Sequence, residues 1–389
     1  MPDNANLTVA HIKDHFLPRS ETFIFTLLSA LRRYSSIILN RHARQNAQIF
    51  PVKKHFSPVE RFDPWAGLLE RVALRLLGHS PYLEHVLRTE QVRLIHAHFG
   101  QLGALFVPVA RRHGLPLVTS FHGTDVSVFA AYPAWQRHFE ALWEYGHRFL
   151  VVGPAMAERL KAVGCPEDRI EVLPLPLDLR KFGFVERRPA PGEPICILTV
   201  GRLIPKKGIN ILLQALATLK SRYSLRLWIA GDGPQRPQLE SLTAELELGE
   251  LVEFWGWVEH TRIADLMAQA HLFVLASRTD PETGETEGSP TVLLEAQAMG
   301  LPVVSTFHGD IPFIVQDGQT GVLVPEGNAE ALASALDELL RYPERWVDLG
   351  RAGRAFVESR HEMYRVGARL EEIYDQCLRG DESTSYPLP

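Results

Sequence analysis

The chain has 389 residues, 46% of them hydrophobic and 22% charged, and a formal net charge of −5. That length exceeds one ordinary hydrophobic core and predicts two domains. No apolar run approaches the roughly 20 residues that span a bilayer, and the opening MPDNANLTVA lacks a basic-then-apolar signal segment. The charge is uneven: residues 1–185 carry 22 Lys+Arg against 16 Asp+Glu, the remainder 19 against 30. A basic first half beside an acidic second suits an anionic partner on one side only. No nucleic-acid motif accompanies the charge, so an anionic lipid surface or lipid diphosphate is the expected partner and nucleic acid is not. Three scattered cysteines (Cys165, Cys196 and Cys377) form no CxxC pair and read as reduced thiols of a cytoplasmic protein.

Taken in chain order, the apolar segments LTVAHI, SIILN, RLIHAHF, PLVTSF, RFLVV and RIEVLPL read as strands. Between them ETFIFTLLSALRR, QLGALFVPVARRHG, the stretch around WQRHFEALWEYG, and PAMAERLKAVG read as helices. Alternation of this kind predicts an α/β, doubly wound parallel sheet. Within residues 53–93, Leu68, Leu69, Val72, Leu76 and Leu77 are spaced for one helical face, with Arg71 and Arg75 nearby. With Trp65, that helix either packs into the first domain or lies on an anionic membrane surface, where it would meet a polyprenyl-diphosphate-linked acceptor. ERRPAPGEP, residues 186–194, reads as a linker. The second half repeats the alternation with strands CILTVGR, LRLWIAG, LVEFWG, LFVLAS, PVVST and GVLV. Helices near Pro343–Arg360 and Glu362–Arg379 follow, and residues 381–389 read as a disordered tail.

The stretch EGSPTVLLE sets Glu287 and Glu295 on either side of a predicted helix start. Ser289 suits a cap, Pro290 a first helical position, and TVLLEAQAMG the helix, closed near Gly300. Unpaired amides and the positive dipole end there would seat a diphosphate. Glu295, one to two turns in, would accept hydrogen bonds from two neighbouring sugar hydroxyls. By itself the spacing also suits a surface helix with incidental glutamates. Arg202 ends its strand and Lys207 opens the next helix, a pair able to clamp a diphosphate. Ligands of open α/β sheets sit at the carboxyl ends of strands, and HGTD, GRLIPKKG and EGSP all follow strands, so a cleft between the two domains is expected. The chain has no DxD motif, so no metal is expected and fixed cations would take its place. His96 and His98 alternate on one strand and point the same way, but no third ligand is evident and no metal site is assigned. His98 is instead a candidate for the acceptor side. The absence of GxGxxG after the first strand argues against a dehydrogenase.

CILTVGRLIPKKGI (196–209), the run from Ala298 to Asn328 and FHGTDVS (121–127) resemble the glycosyltransferases of family 4, retaining enzymes of the GT-B fold. SETFI (20–24), HAHFG (96–100) and GETEGSP (284–290) resemble a subgroup that builds bacterial exopolysaccharides of the colanic-acid and amylovoran types. The resemblance runs over about residues 7–375. It implies two Rossmann-like domains facing across a cleft: an acceptor-binding one over 1–185 and a nucleotide-sugar-binding one over 195–361. Residues 362–380 would cross back to the first domain. It implies a cytoplasmic or membrane-peripheral, metal-independent hexosyltransferase without a cofactor, taking a UDP- or GDP-hexose to a lipid-linked saccharide.

The same resemblance gives Glu287 the transferred sugar, Glu295 the ribose, and the amides around Gly288, Ser289, Pro290 and Thr291 the phosphates. Gly231 and Gly233 would turn the chain beside the nucleotide, although a lone GDGP is otherwise only a strand-to-helix turn. His122 would meet a donor-sugar hydroxyl, and Asp125 would orient its neighbours or the acceptor. The implied catalytic set is His122, Arg202, Lys207 and Glu287, with no general base. Ser20, Glu21 and Thr22 stand where many relatives have paired glycines and are read on the acceptor side, their contact with donor or acceptor left open. Phe313 replaces a usual Glu, either altering donor choice or simply packing. The competing readings are a catalytically silent nucleotide-sugar scaffold and a nucleotide-sugar epimerase on the same architecture.

Overall fold

The computed structural model describes residues 7–18, 21–62, 64–123, 125 and 133–379. Ser20, most of TDVS after Gly123, and the segment 381–389 read as a tail lie outside the described residues. The chain forms two compact units, one of Met1–Pro176 with Met363–Pro389 and one of Leu177–Glu362.

The first unit holds β1 (Leu7–Lys13), β2 (Tyr34–Asn40), β3 (His55–Phe56), β4 (Val92–His98), β5 (Leu117–Ser120), β6 (Arg148–Val151) and β7 (Ile170–Val172). All pair in parallel, in the order β3-β2-β1-β4-β5-β6-β7. The second unit holds β8 (Ile195–Val200), β9 (Leu225–Ala230), β10 (Val252–Gly256), β11 (Leu272–Val274), β12 (Val303–Thr306) and β13 (Gly321–Val324), also parallel, in the order β10-β9-β8-β11-β12-β13. Near-continuous apolar runs such as ICILTV and LFV form strands here because helices cover both faces of a parallel sheet. Each order reverses once, beside β1 in the first sheet and beside β8 in the second. Such reversals open the crevices in which doubly wound sheets hold ligands.

The helix Met363–Arg379 belongs to the first unit. Val366, Leu370, Ile373 and Tyr374 pack with Val9, Leu94, Val118 and Leu150. Its Glu371 accepts hydrogen bonds from the amides of Arg32 and Arg33, both at 2.6 Å, just past the helix Thr22–Ala30. Residues 177–194, which the sequence reading divides between the first domain and a linker, fasten onto the second unit. Arg187, 4% exposed, donates to the carbonyls of Ala268 (2.7 Å), Met267 (2.9 Å) and Met299 (3.2 Å). A guanidinium there serves two helix C-termini, where unpaired carbonyls and the negative dipole end favour a cation. No helix among the described residues is long and apolar enough to cross a membrane.

Candidate functional site

In the second unit the loop after β8 lies against the loop after β9. Gly201 donates to Ala230, Leu203 donates to the carbonyl of Asp232, and Gln235 donates back to Leu203. Gly231 has φ +147, and a Cβ there would sit 1.9 Å from the carbonyl oxygen of Gly201. Only glycine permits that approach, so the GDGP turn and the GRLIPKKG loop form one platform. Lys207 runs its stem over Gly201, the Cε lying 3.3 Å from where a Cβ would be. Arg202 is exposed and has no ion-pair partner among the described residues.

Glu287 meets this platform. Its Oε1 lies 3.2 Å from Lys207 Nζ and 3.8 Å from Lys206 Nζ, and Lys206 also holds Glu285 at 2.6 Å. Burial works to raise the Glu287 pKa, but Lys207 and Lys206 outweigh it and hold the carboxyl below its ordinary range. Its backbone N–H donates to His308 Nε2 at 3.0 Å, while His308 Nδ1 bonds Glu326. That pair of contacts selects the Nδ1–H tautomer. Glu326 in turn accepts from the amide of Thr279 at 2.9 Å. Gly309, at φ +53, lets the next turn come down on the Glu287 carbonyl, 2.4 Å from where a Cβ would stand.

The helix beyond runs Thr291–Ala298 with Pro290, extended at ψ 112, as its N-cap. This corrects the predicted start: Pro290 takes the cap position in place of Ser289. Proline has no side-chain oxygen to offer the first amides, which therefore remain for a ligand or water. Glu295, 4% exposed, accepts from His260 Nε2 at 3.0 Å. That hydrogen bond raises the His260 pKa despite burial. Phe313 is half-buried in the short helix Ile311–Ile314.

The strand ends of the first unit carry different chemistry. His11, His96 and His98 are fully buried on β1 and β4. His11 Nδ1 lies 3.2 Å from His98 Nε2, while His96 bonds Tyr374 OH at 2.6 Å and Ser120 Oγ at 2.7 Å. Burial pushes all three imidazoles well below their ordinary pKa, so they are neutral. His11 is the third histidine that sequence reading did not find. Each of the three offers a ring nitrogen within 4.8 Å of the others, and both nitrogens of His96 take part in hydrogen bonds in this arrangement. His98, 1% exposed, is buried in this stack.

His122 stacks near His98, with ring centroids 6.1 Å apart, and sits between Phe23 and Phe99 at 5.0 and 4.9 Å. Neither of its ring nitrogens has a hydrogen-bond partner among the described residues. Burial, then Lys13, keeps its pKa well down, leaving a neutral imidazole with a free donor and a free acceptor. Phe99 reaches this place at φ +85, a conformation costing on the order of 1–3 kcal/mol for a non-glycine residue. Asp125 accepts from the amides of Gly100 (3.1 Å), His122 (3.0 Å) and Gly123 (2.9 Å). Its oxygens accept from these backbone amides, so it shapes the HGTD loop. Glu21 pairs with Lys13 at 2.6 Å, both nearly buried, and Thr22 opens the helix Thr22–Ala30.

The stripe predicted on the helix Pro64–Leu77 points outward. Leu69, Leu76 and Leu77 are 68, 74 and 72% exposed and Trp65 is 77% exposed, whereas Leu74 is buried. Sequence reasoning therefore brought Lys207, Glu287 and the start of the helix at Thr291 to one place. It missed Lys206, His260, His308 and Glu326. Those four act through contacts between separate strand-end loops, and no spacing along the chain announces them.

Two doubly wound units, one carrying a lysine–carboxylate group beside an open helix start, define the class: a GT-B fold. A solved structure of this fold, Anabaena HepE in complex with UDP, is similar over 95% of this chain and 99% of that one, with a TM-score of 0.76 and 17% identity. Residues 20–181 match the profile of Glycosyltransferase Family 4 and residues 184–356 that of Glycosyl transferases group 1. The amylovoran biosynthesis glycosyltransferase AmsK of Erwinia amylovora is 32% identical over 282 residues, 72% of this chain and 69% of AmsK. WcaL of Salmonella typhimurium, whose name assigns it to colanic acid biosynthesis, is 34% identical over 248 residues. The match spans 63% of this chain and about three fifths of WcaL (61%). The chain belongs to the family 4 glycosyltransferases.

Proposed function

We propose that this protein is a retaining, metal-independent hexosyltransferase. It moves a hexose from a UDP- or GDP-sugar to a lipid-linked saccharide in the assembly of an exopolysaccharide or another cell-surface glycan. The observation that carries the reading is Glu287, held ionised by Lys207 beside the uncapped start of the helix Thr291–Ala298.

The ionised carboxylate accepts a hydrogen bond from a hexose hydroxyl. Lys207, Arg202 and the first amides of the helix face the diphosphate. As the bond between the anomeric carbon and the β-phosphate oxygen breaks, charge gathers on that phosphate. Cations and amides already in place stabilise it more than the ground state. The acceptor hydroxyl forms the new bond on the same face, and its proton passes to the departing phosphate, so no protein base is required. Glu295 takes the ribose hydroxyls in place of His260. His122, neutral and with neither ring nitrogen bonded among the described residues, suits a sugar hydroxyl. The chain contains no DxD motif, and the lysine–arginine pair supplies the positive charge that a divalent ion gives other transferases.

The test is a thermal-shift screen of UDP- and GDP-hexoses against the whole chain. A ligand that binds only the folded form raises its melting temperature, so one nucleotide series should stabilise the protein and the other should not. If neither series shifts the melting point, the reading fails.

A further inference from the structure

Beneath the exposed apolar helix the first unit gathers positive charge that the described carboxylates balance only in part. Arg41 follows directly on β2, and its guanidinium is only 17% exposed. Arg71 and Arg75, one turn apart on the helix Pro64–Leu77, are near enough to depress the pKa of Arg41 further, after burial itself. Among the described residues the carboxylate paired with Arg41 is that of Asp14, at 3.5 Å. Asp14 also lies 3.7 Å from His42, whose Nδ1 takes a hydrogen bond from Arg71 at 2.8 Å. Glu70 on the same helix is drawn off to Ser80 at 2.6 Å. Arg41 thus faces Asp14, Arg71 faces His42 and Arg75 lies close by, and the Nε atoms of Arg41 and Arg71 are buried without a hydrogen-bond partner among the described residues. Crowded like charges with unmet donors are unfavourable unless an anion completes them. Forked guanidiniums match phosphate oxygens best.

Two further features narrow the anion. The cluster lies at the carboxyl ends of β1 and β2, where an open sheet holds discrete ligands, and not on a flat outer face. The helix that supplies Arg71 and Arg75 also turns Leu69, Leu76 and Leu77 to the outside. A ligand with a phosphate head and a hydrocarbon tail would satisfy both sides of that helix at once. We propose that Arg41, Arg71 and Arg75 bind the diphosphate of a polyprenyl-type acceptor lipid, whose hydrocarbon chain runs along the exposed leucines of the same helix. This deepens the proposed function and rests on its lipid-linked acceptor; it assigns the residues that would hold the lipid diphosphate.

The experiment titrates the full-length chain with farnesyl diphosphate, with inorganic pyrophosphate and with phosphatidylglycerol vesicles, using calorimetry for the first two and flotation for the third. Farnesyl diphosphate should bind, and Arg41→Gln or Arg71→Gln should weaken it more than tenfold. Arg75→Gln, on an exposed side chain that the fold does not need, should weaken it severalfold. Leu69→Asp with Leu76→Asp should weaken farnesyl diphosphate while leaving pyrophosphate binding unchanged. Wild-type affinity in all three arginine variants overturns the assignment. So does arginine-dependent flotation on phosphatidylglycerol without farnesyl diphosphate binding, which would make the cluster a contact for bulk lipid headgroups. The thermal shift with nucleotide-sugars, read on the same variants, should persist. Its absence from the wild type would sink the proposed function while leaving the lipid titration to be judged by itself.

Discussion

The two sheets share a topology but finish their strands in opposite ways. Around Glu287 the second unit pairs its buried charge, carboxylate against lysine, and steadies the loop through His308 and Glu326. Around His122 the first unit uses imidazoles that burial keeps neutral, and leaves two nitrogens of one ring without partners among the described residues. Paired charge beside helix amides suits the proposed diphosphate, and an uncharged ring in an aromatic slot suits the proposed sugar hydroxyl. One architecture therefore carries two kinds of strand-end chemistry, and the side chains there decide which.

The largest expected effect separates these roles. Lys207→Ala should lower the transfer rate by about a hundredfold to a thousandfold, the cost of removing one contact to developing charge. Glu295→Ala should lose comparable efficiency through donor binding. Steady-state assays over donor concentration would show it, and a Lys207→Ala enzyme as fast as wild type breaks the charge-receiving half of the comparison.

Next in size is stability in the first unit. Asp125→Ala strips three buried amides of their acceptor and should cost on the order of 3 kcal/mol in urea unfolding. A loss within a few tenths of a kcal/mol would mean that the HGTD loop is held by something else.

A smaller effect probes the ionised state of Glu287. Its folded pKa lies below the unfolded value, so the stability it contributes is present above the ordinary carboxylate range and is lost as pH falls through the lowered value. The melting-temperature gap between wild type and Glu287→Gln should therefore close on acidification. A gap that widens instead would show a carboxyl held protonated.

The smallest expected effect is none: EDTA should leave transfer essentially intact. Full dependence on a divalent ion would remove the role given to Lys207 and Arg202.

Much of this was legible along the chain. LTVAHI, CILTV and LFVLAS declare buried parallel strands because only apolar β-formers suit a sheet covered on both faces. The resemblance of EGSPTVLLE to the family motif needed no coordinates. The two-residue strand β3 was not legible, since His55 and Phe56 are too few to show a period. Nor did the leucines of the helix Pro64–Leu77 reveal whether they face inward: helical spacing defines a stripe but not what lies against it.

By itself the sequence determined the alternation of strands and helices, the glycines that let loops approach, and the residue types of the proposed diphosphate seat, because these depend on neighbours a few positions away. Only the tertiary structure decided that His260 meets Glu295, that His308 joins Glu326 to the Glu287 amide, and that His11 completes the buried histidine stack. Those partners stand 35, 18 and 87 positions apart. They meet because parallel strands bring their carboxyl ends to one edge of a sheet, and burial there sets which groups carry charge.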